Sequence, residues 1–282
     1  MLFGEYLVLK GADCLAFPLK FGQELTVTHA EKLIWESYSK HGMWFTVTMD
    51  NELNILDTND TKVAEILRDL LLIIRKEKPA LNLINEYKAV ANFELNWGLG
   101  SSSTLISLLS QWSGVDANTL LKASFGGSGY DVACATAKDA ILYANGKTKK
   151  EIQIPSSITE NMLFIYLGQK QNSREEIKRF NGTEVTASDV EALNAIVQTS
   201  IQTQDIEVFE HQLNDSENIV SRIIGSEKLK DRLFSDYEYS IKSLGAWGGD
   251  FFLATCRDID KAKAYFTSKG YEIMFTYKEL IK

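Results

Sequence analysis

Apolar side chains fall at Val63, Ile66, Leu67, Leu70, Leu71 and Ile74. Steps of three and four predict one face of an amphipathic helix packed on a core. Alternation over residues 24–29 and 43–49 predicts two strands. Residues 2–9, apolar between Gly4 and Gly11, also read as a strand, whereas 51–60 is polar and turn-like. Residues 87–97 are strand-like and run into Gly98-Leu99-Gly100-Ser101-Ser102-Ser103. After this loop Leu105, Ile106, Leu108, Leu109 and Trp112 predict a helix that stops at Gly114. Gly126-Gly127-Ser128-Gly129 leads into a helix start at Tyr130, and 139–146 reads as a strand and turn. Residues 147–158, with Pro155, mark the expected domain boundary. Beyond it the pattern predicts a strand at 162–167 and helices between about 173 and 235. A strand at 251–256, a helix at 258–268 and a strand at 271–277 complete it. This order predicts an α+β fold, with helices on one face of a sheet in the second half.

Composition narrows the class. The 282 residues carry 30 Lys+Arg against 38 Asp+Glu, a net charge of −8. That argues against a broad nucleic-acid face, but not against a phosphate ligand held by backbone N–H groups at a helix N-terminus. Cys14, Cys134 and Cys256 lie far apart, without a C-x-x-C pair, so neither a disulfide framework nor a zinc site is expected and the setting reads as reduced and cytoplasmic. His29, His41 and His211 lack metal-helix spacing. No apolar run approaches the length of a membrane span, and no signal peptide is expected at the start.

Three small-residue loops could carry chemistry. At Gly98 to Ser103, glycines would let the backbone approach a ligand, and N–H groups with the helix dipole would favour an anion. A Ser-capped helix start after a tight turn explains the loop equally well. The loop lacks the Lys of a Walker A motif and the third Gly of a dinucleotide fingerprint. At the second loop no G-x-S-x-G elbow forms, because Tyr130 stands where the last Gly belongs. Asp131, just after that loop, could act as a general base in phosphoryl transfer or could simply favour the helix dipole. The third loop, Gly245-Ala246-Trp247-Gly248-Gly249-Asp250, precedes a strand.

Taken with the opening segment, these loops resemble the motifs of the GHMP kinases. Leu2-Phe3-Gly4-Glu5-Tyr6-Leu7-Val8, followed by Gly11, Ala16 and Pro18, resembles the first motif. Gly98-Leu99-Gly100-Ser101-Ser102 resembles the second, and Gly245 to Asp250 the third. Ser128-Gly129-Tyr130-Asp131-Val132-Ala133 is similar to a segment of phosphomevalonate kinases, within a bacterial group named for Gly-Tyr-Asp-Ile-Ala. The resemblance implies a ribosomal-S5-like N-terminal domain (1–150), which binds ATP, and a ferredoxin-like C-terminal domain (151–282). It implies ATP phosphates on Gly98, Leu99, Gly100, Ser101, Ser102 and Ser103, Mg²⁺ on Ser102 and catalysis by Asp131. A small-molecule acceptor, phosphomevalonate or mevalonate, would meet Glu5, Tyr6, Ser128, Gly129, Lys170, Ser173, Arg174, Gly248, Gly249 and Asp250. Neither nucleic acid nor membrane is an expected partner; a homodimer is an assembly open to such a chain.

The sequence departs from the pattern at several points. This sequence starts after the point at which the family's first motif carries Gly-Lys, so the Lys expected to steady the catalytic Asp or the phosphates is not matched. Glu94 stands in place of a Pro, Trp247 in place of a Gly, and Leu120 where some relatives carry an acidic Mg²⁺ ligand. An alternative reading is therefore a non-catalytic nucleotide- or metabolite-binding protein of the same fold, and a third is an obligate partner protein that uses the fold only structurally.

Overall fold

A computed structural model describes residues 1–168, 180, 183–245, 247 and 250–282. In chain order it contains β1 (Cys14–Ala16), β2 (Gln23–His29), β3 (Leu33–Ser39), β4 (Gly42–Met49), β5 (Ile55–Thr58), α1 (Thr61–Glu77), β6 (Asn85–Ala91), α2 (Ser101–Ser113), α3 (Ala117–Ala123) and α4 (Tyr130–Thr136). There follow β7 (Ala140–Ala144), β8 (Lys147–Ile152), α5 (Ser156–Thr159), β9 (Met162–Tyr166), α6 (Ala187–Gln202), α7 (Ile206–Ile224) and α8 (Leu229–Leu233). The chain ends with β10 (Ile241–Ser243), β11 (Phe251–Thr255), α9 (Ile259–Ser268), β12 (Met274–Thr276) and α10 (Tyr277–Leu280). Two compact units emerge, Phe21–Thr136 and a second made of Met1–Lys20 with Ala137–Lys282. The expected cut at 150 differs from this division over the first twenty residues and over β7 and β8.

In the Phe21–Thr136 unit the predicted helix stripe lies on α1, which buries Leu67, Leu70, Leu71 and Ile74. Asp60 caps α1, accepting from the N–H groups of Lys62 and Val63 at 3.0 and 3.2 Å, an arrangement that satisfies donors a helix start leaves unpaired. The five-stranded sheet has the order β2-β6-β3-β4-β5, with only β3 and β6 parallel. Alternate residues of β6 are buried, as one covered face requires. Trp35 stacks on Tyr87 at 5.1 Å, and Trp112 of α2 meets the Tyr87 ring edge-on at 5.2 Å.

In the other unit, β1, β7 and β8 form a three-stranded antiparallel sheet. The expected boundary at 147–158 thus begins as a paired strand. The remaining strands form an antiparallel sheet in the order β10-β11-β9-β12. Numbered along the chain these are strands 2-3-1-4, the ferredoxin-like arrangement implied for the second half. Leu163, Ile165, Phe234, Phe252 and Phe266 fill its core.

Several sequence expectations are corrected. Residues 2–9 are not a strand: Phe3 makes a single bridge to Leu15, and Leu7–Lys10 is a 3-10 helix. Gly4 (φ +101°) lies so close to the next segment that a Cβ would sit 2.8 Å from the Asp13 carbonyl oxygen, and Tyr6 (φ +59°) turns the backbone again. Apolarity there reports burial rather than strand geometry. Within the polar stretch 51–60, Ile55–Thr58 pairs with β4 as an edge strand whose two central residues are exposed, and β1, β3 and β10 went unpredicted. The strand expected over 87–97 ends at Ala91, so the glycine loop is longer than its motif.

Candidate functional site

The loop before α2 is anchored at Trp97, a buried ring that meets Phe21 edge-on at 5.8 Å, with the Lys40 ammonium 5.1 Å from its centroid. Glu94 bonds His41 at 2.9 Å, and its carbonyl accepts from the Trp97 N–H. Gly100 is the N-cap of α2, with φ +83°. No side chain caps this helix start, and its first turn holds no acidic residue. The Ser-capped helix start is therefore not what forms. The Ser103 hydroxyl donates to the Gly100 carbonyl at 2.9 Å, as does that of Thr104. Among the described residues the hydroxyls of Ser101, exposed, and Ser102, half-buried, have no protein partner. Gln23 of β2 donates to the Ser101 carbonyl at 2.8 Å and the Thr104 hydroxyl at 2.7 Å, pinning the helix start to the sheet. An uncapped N-terminus with backbone donors and no local carboxylate is suited to an anion.

The second loop belongs to the same unit. Ser128 is half-buried and Gly129 buried, and α4 packs on α2. Asp131 lies in the first turn of α4 and accepts from the Val132 N–H at 3.0 Å. Burial pushes its carboxyl above the usual carboxylate range, against the pull of that backbone bond.

The other expected acceptor residues fall in the Met1–Lys20 and Ala137–Lys282 unit. Tyr6 is buried, its ring 5.1 Å from Phe180, in a cluster with Trp247. Asp250 is half-buried at the entry to β11, its carbonyl accepting from the Leu167 N–H at 2.8 Å. Lys170, Ser173, Arg174, Gly248 and Gly249 lie outside the described residues.

Glu5, expected to face an acceptor, is 0% exposed, and its carboxylate pairs with Lys242 of β10, also 0% exposed. Glu217 of α7, 2% exposed, accepts from the same ammonium at 3.1 Å and from the N–H and hydroxyl of Ser243 at 3.2 and 3.3 Å. Burial, then the Glu5 charge, push the Glu217 carboxyl up to about 7, although Lys242 pulls the other way. The two carboxylates hold Lys242 charged, above its usual value, in spite of its burial. Sequence reasoning missed Lys242, Glu217 and Gln23. A Lys in a three-residue strand, a Glu in a polar helix and a strand Gln carry no local signal; only their long-range partners distinguish them.

No protein-family model and no curated protein sequence matches the chain. Solved structures do. Phosphomevalonate kinase from Streptococcus pneumoniae, in complex with phosphomevalonate and AMPPNP, superposes with TM-score 0.74 at 16% identity, over 98% of this chain and 96% of its own. Methanococcus jannaschii mevalonate kinase gives 0.72 at 14%, over 97% and 93%. Lactococcus lactis galactokinase complexed with galactose gives 0.69 at 13%, over 98% and 90%. At such identities the likeness is one of fold: the chain has the two-domain GHMP kinase fold along nearly its whole length.

Proposed function

We propose that this chain is an ATP-dependent small-molecule kinase, moving the γ-phosphoryl group of ATP to a hydroxyl or phosphate oxygen. Phosphomevalonate and mevalonate, the isoprenoid-precursor acceptors, are the first candidates. The carrying observation is the start of α2: backbone donors with no side-chain cap, no carboxylate in the first turn, and a glycine N-cap. A Cβ on Gly100 would stand 2.6 Å from the Ser103 hydroxyl oxygen. Such a start fits a polyphosphate. The phosphomevalonate kinase complex with AMPPNP supports the nucleotide and the acceptor class alike.

In this reading Gly98, Leu99, Gly100, Ser101, Ser102 and Ser103 hold the phosphates of ATP, and Gln23 keeps the helix start in place. Magnesium, when bound, neutralises charge as the phosphoryl group moves. Ser102 is the side chain that would hold it. The acceptor oxygen bonds to the γ-phosphorus while the bond to the bridging β-phosphate oxygen breaks and ADP leaves. Asp131 takes the proton of a hydroxyl acceptor; burial makes its carboxylate a stronger base. Toward a phosphate acceptor it orients the attacking oxygen. The 1–150 and 151–282 division into nucleotide-binding and C-terminal domains belongs to the same reading. So does a cytoplasmic setting, in keeping with three cysteines that form no disulfide. No helix among the described residues is long and apolar enough to cross a membrane.

The test is ATP consumption with phosphomevalonate, mevalonate and homoserine, for wild type and Asp131→Asn. Removing the base should lower kcat by about 10²–10⁴-fold and leave AMPPNP affinity unchanged. Turnover that survives the change refutes the role of Asp131. Nucleotide binding without turnover on any acceptor favours the non-catalytic alternative.

A further inference from the structure

Trp247 stands in the loop between β10 and β11 and carries two structural costs at once. Its backbone is left-handed, φ +54°, a conformation L residues avoid because Cβ crowds the carbonyl. Its side chain is only 8% exposed, yet the buried indole Nε1 has no hydrogen-bond partner among the described residues. Buried donors are almost always paired, and an exception calls for a reason. Strain of this kind gathers where a site is held ready for a ligand. The surroundings point the same way. Trp247 shares a buried cluster with Tyr6, itself strained at φ +59°, and with Phe180. The Lys10 ammonium lies 5.8 Å from the Phe180 ring centroid and brings a positive charge to the cluster.

We infer that the Trp247 indole N–H is a binding donor for an anionic oxygen, carboxylate or phosphate, of the acceptor molecule, with Tyr6 and Phe180 as the apolar wall beside it. The inference rests on the kinase reading for the identity of the ligand, but not on turnover. Trp is suited to the task because its ring fills the cluster while its one polar atom waits for a partner. A donor of this kind costs the free protein stability and returns it on binding, so it favours acceptors that present an anion at that point and rejects neutral ones.

Trp247→Phe keeps a ring and deletes the donor. Calorimetric titration of both proteins with phosphomevalonate, mevalonate, galactose and AMPPNP, alongside thermal melts, tests the inference. The expected result is a Kd at least about tenfold weaker for an anionic acceptor, the loss typical of a hydrogen bond to a charged group. AMPPNP affinity should be unchanged, and a cooperative melt shows that the ligand-free variant folds. Weakening with phosphomevalonate and mevalonate alike assigns the carboxylate; weakening with phosphomevalonate alone assigns the phosphate. Unchanged acceptor affinities, a loss confined to galactose, or a wild type that binds neither anion overturns the inference. Acceptor binding without ATP consumption would sink the kinase reading alone.

Discussion

Replacing Glu217 by Gln removes a titrating group from the buried triad while keeping its shape and its oxygen toward Lys242 and Ser243. In the folded protein the carboxyl is raised from 4.5 to about 7, so its protonated form is favoured by folding. A raised group contributes stability that is fully present below its unfolded value and is lost as pH rises through its folded value. At about 1.4 kcal/mol per tenfold change in proton affinity, the shift corresponds to roughly 3 kcal/mol, of which about 2–3 kcal/mol disappears between pH ~5 and pH ~8. At 2% exposure little of this is screened by solvent. For a chain of 282 residues, that is a fall in Tm of about 3–5 °C across the window. The Gln variant should lack this component, and contributions from other groups cancel in the comparison. The assay is a series of thermal melts of both proteins at half-unit steps of pH. Curves that run parallel, with no convergence or crossing between pH ~5 and ~8, would refute the reasoning: Glu217 would then be ionised throughout, with Lys242 as its full partner.

Lys242→Met leaves Glu5 and Glu217 buried without a counter-ion; stability should fall by about 3–5 kcal/mol near neutral pH, and less in acid, as read from melts at two pH values. Gly100→Ala should destabilise by about 1–2 kcal/mol through its left-handed backbone and weaken AMPPNP binding. Adding Ser103→Ala removes the 2.6 Å clash but not the φ of +83°, so it should restore only part of the loss; full recovery in denaturation and calorimetry would show that the backbone conformation is unimportant.

The sequence by itself determined those elements whose signal is local. Steps of three and four from Val63 to Ile74 define α1, and Gly114 in the left-handed conformation ends α2 as expected. The alternating runs became β2 and β4, and the glycine loops before α2 and α4 stand at helix starts. Tertiary structure decided whatever depends on a distant partner. Residues 2–8 are mostly buried apolar chain, but crowding of Gly4 against Asp13 and Cys14 denies them a strand. Ile55–Thr58 lies in a stretch polar enough to read as a turn, yet it pairs with β4 at the sheet edge, where its two central residues stay exposed. The family resemblance made Glu5 a candidate contact for a ligand, but Lys242, more than two hundred residues along the chain, claims its carboxylate. Periodicity and capping are written over a few residues and survive in any context that buries one face. Ion pairing and the strain at Trp247 arise only when segments far apart in sequence converge, where burial makes each unpaired charge or donor expensive.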